Sequence, residues 1–86
     1  MNSPKTLSGR ERAILRAVAA GGAELQLGTE PDLFLKGRWC CDQAVAHHLV
    51  RPGYIAAATL GLVGERVAAA ITRAGREALG TAVLVA

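Results

Sequence analysis

The chain has 86 residues, a formal net charge of +3, a hydrophobic fraction of 51% and an aromatic fraction of 3%. This length allows one core, and no apolar run approaches the ~20 residues that span a bilayer. The N-terminal segment lacks the apolar stretch of a signal peptide. We therefore expect one cytoplasmic domain over residues 1–86, with residues 1–6 frayed, no membrane partner and both cysteines reduced.

The first predicted element is an amphipathic helix over residues 9–20. Ser8 and Glu11 have the spacing of a capping box, which marks the start of a helix. The aliphatic residues that follow recur on one face, and two glycines at 21–22 end the helix. Apolar and polar residues then alternate over 23–27, which predicts a short, half-buried strand.

Residues 29–36 admit two interpretations. Thr29 could cap a short helix with Pro31 in its first turn. Alternatively, residues 30–32 form a turn, and residues 33–36 return as the second strand of a hairpin. The apolar stretch in this segment is too short for its periodicity to decide between a helix and a strand.

The second half of the chain predicts a helix, a β-hairpin and a last helix. In order, these are a helix over 41–51, strands over 54–60 and 65–71 joined by a turn at 61–64, and a helix over 73–79. A proline–glycine pair ends the first of these helices, and a threonine caps the second.

Aromatic side chains are scarce, with one Trp, one Tyr and one Phe. Because aromatic residues bury the largest areas, we expect Trp39, Phe34 and Tyr54 to carry a large share of the core packing. The alternative for Trp39, which comes just before the helix over 41–51, is that it stacks on a nucleotide or anchors an interface. The apolar tail at 81–86 is expected to pack on the core or on a second copy of the chain.

The order of elements and three segments resemble the winged helix-turn-helix domains of bacterial regulators, including the MarR-type group. Residues 49–55, LVRPGYI, are similar to the end of a recognition helix that turns into the first wing strand. Residues 71–79, ITRAGREAL, are similar to the segment that leaves the second wing strand and starts the final helix. Residues 8–15, SGRERAIL, fit the family's opening helix. The resemblance covers most of residues 7–80.

The resemblance implies an α+β winged-helix domain that binds double-stranded DNA as a small transcriptional regulator. It places residues 41–51 in the major groove and the turn at 61–64 over the neighbouring minor groove or backbone. The side-chain amide of a glutamine can pair with adenine, and the guanidinium groups of arginines can contact phosphates. The candidate nucleic-acid-binding residues are Arg38, Gln43, His47, Arg51 and Arg66. A homodimer is plausible because one domain reads only one half-site.

A second hypothesis is a protein–protein interaction module on the same scaffold, such as an adaptor or a phage-encoded inhibitor of a host complex. Its basis is the apolar character of residues 55–63 and 81–86, which offer surface that DNA binding does not need. Frequent Ala, Gly and Arg are also typical of a GC-rich bacterial or phage genome.

The cysteines and histidines invite a metal hypothesis that their spacing disfavours. On one helix, Cys41 and His48 would lie about 10.5 Å apart along the axis, whereas ligands of one Zn²⁺ lie within roughly 4 Å of each other. The sequence also has no phosphate-binding glycine loop, no recognisable nucleophile with its base, and no paired carboxylates within one element. We therefore expect no metal, no cofactor and no catalytic activity.

Overall fold

The computed structural model describes residues 7–80, which form three helices and a five-stranded antiparallel sheet. The helices are α1 (Gly9–Ala19), α2 (Gln43–Val50) and α3 (Arg73–Leu79). The strands are β1 (Ala23–Gln26), β2 (Asp32–Leu35), β3 (Arg38–Trp39), β4 (Ile55–Ala57) and β5 (Arg66–Ile71). The predicted α+β class is therefore confirmed. The predictions for residues 1–6 and 81–86 lie outside the described residues.

Helix α1 begins at the predicted capping box. The Ser8 hydroxyl accepts a hydrogen bond from the Glu11 amide at 3.1 Å, and the Glu11 carboxylate accepts one from the Ser8 amide at 2.8 Å. These two bonds satisfy backbone donors that a helix start would otherwise leave without partners. Ile14, Leu15 and Val18 are buried, as the helical period predicted.

Residues 29–36 form a turn and a strand, so the short-helix alternative is wrong. Strand β2 pairs with β1 from Ala23↔Leu35 to Gln26↔Asp32. A second tight turn then adds β3, with Lys36 at φ 52° and Gly37 at φ 80°. Two consecutive positive φ angles are typical of the two-residue turn that matches the twist of a β-hairpin. The chain between β1 and α2 therefore contains β2 and β3 and no helix.

The sheet has the order β3-β2-β1-β5-β4. The predicted C-terminal hairpin is present, with Ile55 opposite Ile71 and Ala57 opposite Ala69. Its strands are shorter than predicted, so the connection extends over residues 58–65.

The helices cover one face of the sheet, and the core between them is aliphatic. Its most buried large side chains are Leu15, Leu25, Leu33, Leu49 and Ile55. Of the three aromatic residues, Tyr54 packs against this cluster, whereas Trp39 is 55% exposed. The predictions that Trp39 and Phe34 pack in the core are therefore wrong, since neither belongs to this cluster.

The register explains this exposure. Trp39 lies opposite Phe34, and Phe34 lies opposite Glu24, on the three strands at one side of the sheet. Directly opposed residues share a face, and successive residues along a strand face opposite sides. Because Leu33 and Leu25 are buried under the helices, Phe34, Glu24 and Trp39 share the outer face.

Among residues 7–80, no helix is long and apolar enough to cross a membrane.

Candidate nucleic-acid interface

Gln43, predicted to contact a base, instead binds the backbone of its own protein. Its Oε1 accepts a hydrogen bond from the Leu33 amide at 2.8 Å. Its Nε2 donates to the Leu33 carbonyl at 2.8 Å and to the Cys40 carbonyl at 2.6 Å. The side chain therefore joins the first turn of α2 to strand β2. An amide with these three partners is not free to pair with adenine.

His47 and Arg51, also predicted contacts, face two carboxylates. The Arg51 guanidinium forms an ion pair with Glu30. His47 Nδ1 lies 3.8 Å from a Glu30 oxygen, and His47 Nε2 lies 3.5 Å from Asp32 Oδ1. The hydrogen bond from Arg51, its charge and the charge of His47 together lower the pKa of Glu30. Phosphate approaching this part of α2 would meet the negative charges of Glu30 and Asp32.

The carboxylate at the N-terminal end of α2 also has a charged partner within the protein. Asp42, just before the helix, pairs with Arg10 of α1 at 2.6 Å. This hydrogen bond, together with the charge of Asp42, raises the pKa of Arg10. The exposed residues of α2 are Ala44 and His48, so the helix offers little polar chemistry to a DNA groove.

Arg66 lies on the outer face of the sheet, opposite the face that carries α2. Its guanidinium stands 4.0 Å from the centroid of the Phe34 ring, in a cation–π contact. It also lies 3.7 Å from the Glu24 carboxylate. Arg66 therefore does not share a surface with Gln43 or Arg51, and the five predicted contact residues do not converge on one face.

A different cluster is formed by the β2–β3 hairpin. We call it the aromatic edge, and it consists of Phe34, Lys36, Arg38 and Trp39. Lys36 and Arg38 are exposed and make no ion pair within residues 7–80. No acidic residue interrupts the sequence from Leu33 to Trp39. Two unpaired cations thus lie within three residues of an exposed indole at the edge of the sheet, Lys36 in the turn and Arg38 next to Trp39 on β3.

Only Arg38 of the aromatic edge was among the predicted contacts. The sequence signal for the others was the run FLKGRW, in which basic residues lie between two aromatic ones around a lysine–glycine turn. Exposure of Trp39 is not visible in that run, because it depends on which face of the sheet the register selects.

A second exposed feature is the apolar loop, which we define as residues 58–65. Leu60, Leu62 and Val63 are 100%, 75% and 86% exposed, respectively. The loop is nevertheless ordered by its own contacts. A Glu65 carboxylate oxygen accepts from the Leu62 amide at 2.7 Å, and the Gly64 amide donates to the carbonyl of residue 27 at 2.9 Å.

Within residues 7–80, no group of three or more His, Cys, Asp or Glu side chains could hold a metal ion. Neither a protein-family model, nor a curated protein, nor a solved structure matches the chain. Family membership therefore stays a prediction, and function has to be inferred from the surface of the protein.

Proposed function

We propose that the chain is a nucleic-acid-binding module that contacts its ligand through the aromatic edge. The observation that carries this proposal is the position of Trp39, 55% exposed beside Lys36 and Arg38. Proteins that bind nucleic acids combine cations, which contact the phosphate backbone, with aromatic rings, on which bases stack. The aromatic edge supplies both within six consecutive residues.

The distribution of charge supports the same surface. Arg10, Arg51, Arg66 and Arg73 each lie within 4 Å of a carboxylate. Such pairs attract a polyanion less than free cations do, because a neighbouring carboxylate repels phosphate. Lys36 and Arg38 have no such neighbour within residues 7–80 and can neutralise phosphates directly.

The resemblance to winged-helix regulators favours DNA and a role in transcription. In support, strands β1, β5 and β4 are adjacent in the sheet, and helix α2 comes directly before the β4–β5 hairpin. Because Gln43, His47 and Arg51 are engaged within the protein, we propose the β2–β3 hairpin, rather than α2, as the contacting element.

The experiment is a binding titration, by fluorescence anisotropy, against end-labelled duplex and single-stranded DNA at about 50 mM and 200 mM salt. We expect binding that weakens with salt. The double variant K36Q/R38Q should bind at least about tenfold more weakly at the lower salt concentration.

The matched control is R73Q, which removes a cation that follows β5 and is already paired with Glu77. Its affinity should stay within about twofold of the wild type, because paired surface cations contribute little. Equal affinities for K36Q/R38Q and the wild type would contradict the proposal, as would no detectable binding at low salt.

The apolar loop supports a second candidate, a module that binds a partner protein. Three large aliphatic side chains stand in solvent on a loop that hydrogen bonds already order. Exposed apolar patches mark interaction sites, and an ordered loop loses little entropy when it binds. A protein retained at high salt by the wild type but not by L60N/L62N would support this candidate. Equal retention by both proteins would exclude the loop as its contact.

A further inference from the structure

On the basis of the nucleic-acid binding proposed above, we infer that the ligand is single-stranded and that an unpaired base stacks on Trp39. The indole lies on strand β3, at one end of the sheet order, and on the face that carries no helix among residues 7–80. A large flat ring that is 55% exposed can stack on a planar ligand without displacing any part of the core.

The neighbouring pair of side chains offers a second flat surface. Trp39 and Phe34 are directly opposed across β3 and β2. The Phe34 ring is covered by the Arg66 guanidinium at 4.0 Å from its centroid, so a base could stack on the guanidinium plane rather than on Phe34 itself. Unpaired bases stack both on aromatic rings and on arginine planes. The outer face therefore carries two planar groups, the Trp39 indole of β3 and the Arg66 guanidinium, which reaches from β5 over Phe34 of β2.

The cations of the hairpin lie where a single strand can reach them together with the indole. Arg38 precedes Trp39, and Lys36 lies in the turn that joins β2 to β3. Trp39 and Arg38 are successive residues and face opposite sides of β3, but β3 is the edge strand, so a phosphate backbone along this open edge can reach Arg38 and Lys36 while a base contacts Trp39. Glu24 lies opposite Phe34 and close to Arg66. Its negative charge repels phosphate and so limits the binding surface on the β1 side.

Duplex DNA fits this surface less well. Its bases are stacked on each other and present only their edges in the grooves, so a ring on a sheet face cannot stack on them without unpairing. A protein that recognises base edges in a DNA groove through α2 would also need free polar side chains on that helix. Gln43, however, is bound to the backbone of Leu33. Stacking of unpaired bases is tolerant of sequence, so no particular base is implied.

Because Trp39 is the only tryptophan of the chain, its fluorescence reports on this site alone. The probes are single-stranded oligo-dT and oligo-rU of about 12 nucleotides, a DNA duplex of the same length, and inorganic polyphosphate. We expect saturable quenching by either single strand and less by the duplex. Polyphosphate carries no bases and should not quench by stacking.

Variants at Trp39 separate stacking from charge. W39A should bind single strands about 5- to 100-fold more weakly, measured by anisotropy, while W39F should retain most of the affinity. Circular dichroism of W39A should match that of the wild type, because the side chain lies outside the core. R73Q, with Trp39 intact, should show wild-type quenching.

Failures of the two proposals are distinguishable. Tighter binding of the duplex, or binding of single strands with no quenching and no effect of W39A, would overturn the stacking inference and leave nucleic-acid binding in place. No binding of any of the nucleic acids at low salt would overturn both. Similar affinities for oligo-dT and oligo-rU are expected, because stacking does not read the 2′-hydroxyl.

Discussion

Gly75 of α3 packs directly against the main-chain carbonyl of Tyr54. A Cβ atom on residue 75 would stand 2.3 Å from that oxygen and 2.7 Å from Ile71 Cγ1. The same carbonyl accepts a hydrogen bond from the Thr72 amide at 3.0 Å. The Thr72 hydroxyl in turn accepts from the Gly75 amide at 3.0 Å and donates to the Gly53 carbonyl at 2.5 Å. The last helix is therefore held against the start of the β4–β5 hairpin by backbone contact.

The first prediction concerns G75A. A methyl group at this position has to displace backbone, so we expect the free energy of unfolding to fall by about 2 kcal/mol or more, measured by urea denaturation. The control is G9A, where a Cβ would meet nothing within 4 Å. Alanine favours a helix more than glycine does, so G9A should be neutral or slightly stabilising. A G75A variant as stable as the wild type would show that α3 does not pack as described.

The second prediction concerns the amide of Gln43. In Q43E, the carboxylate can still accept from the Leu33 amide, but it cannot donate to the carbonyls of Leu33 and Cys40. We expect a loss of about 1–3 kcal/mol in the free energy of unfolding at neutral pH. H48Q, on the exposed side of the same helix, should change stability by less than about 0.5 kcal/mol. Equal effects of Q43E and H48Q would contradict the bridging role of the amide.

The third prediction is a pH dependence at the turn between β1 and β2. Arg51 lowers the pKa of Glu30 in the folded protein. Because the folded pKa is depressed, the stabilising effect of Glu30 is present above its unfolded-state pKa of about 4.3 and is lost as pH falls through the lower folded value.

The measurement is an NMR titration of the Glu30 carboxyl in the wild type and in R51Q. The midpoint should move to higher pH in R51Q, because the hydrogen bond and the positive charge are both removed. R73Q, which removes a cation paired with Glu77 on α3 and not with Glu30, is the control and should leave the Glu30 midpoint unchanged. An unchanged Glu30 midpoint would show that the ion pair does not persist in solution.

The fourth prediction concerns the order of the apolar loop. The Leu62 amide donates to the Glu65 carboxylate, whereas the Gly64 amide donates to the carbonyl of residue 27. In E65A, amide hydrogen exchange should become faster at Leu62, because its acceptor is lost, and should change less at Gly64. Uniformly fast exchange at both amides in the wild type would show that the loop is not held by these bonds.

Much of the local structure was predictable. The structure confirms three predicted features: helix caps at Ser8 and Thr72, glycines at helix ends, and a strand in the alternating segment 23–27. Each of them depends only on residues that are close in sequence. Residues 29–36 were left open because three apolar residues fit a helix or a strand equally well. Pairing with β1, which is a tertiary contact, decided in favour of the strand.

The candidate site was predictable only in part. Arg38 was recognised as a candidate from its charge. For Trp39, core packing was favoured over stacking on a nucleotide or anchoring an interface, because the chain has so few aromatic residues. Gln43, His47 and Arg51 looked available because their partners, Leu33, Glu30 and Asp32, come from segments 10–21 residues earlier in the chain.

Outside residues 29–36, the sequence by itself determined which residues become helix and which become strand, because capping, glycine positions and hydrophobic period act over a few neighbouring residues. The tertiary structure alone decided which side chains remain available to a ligand. Strand register selects the face of the sheet on which each side chain lies, and carboxylates from distant segments decide which cations are already paired. Both are long-range relationships, so an exposed indole close to two unpaired cations emerges only when β1, β2 and β3 are aligned.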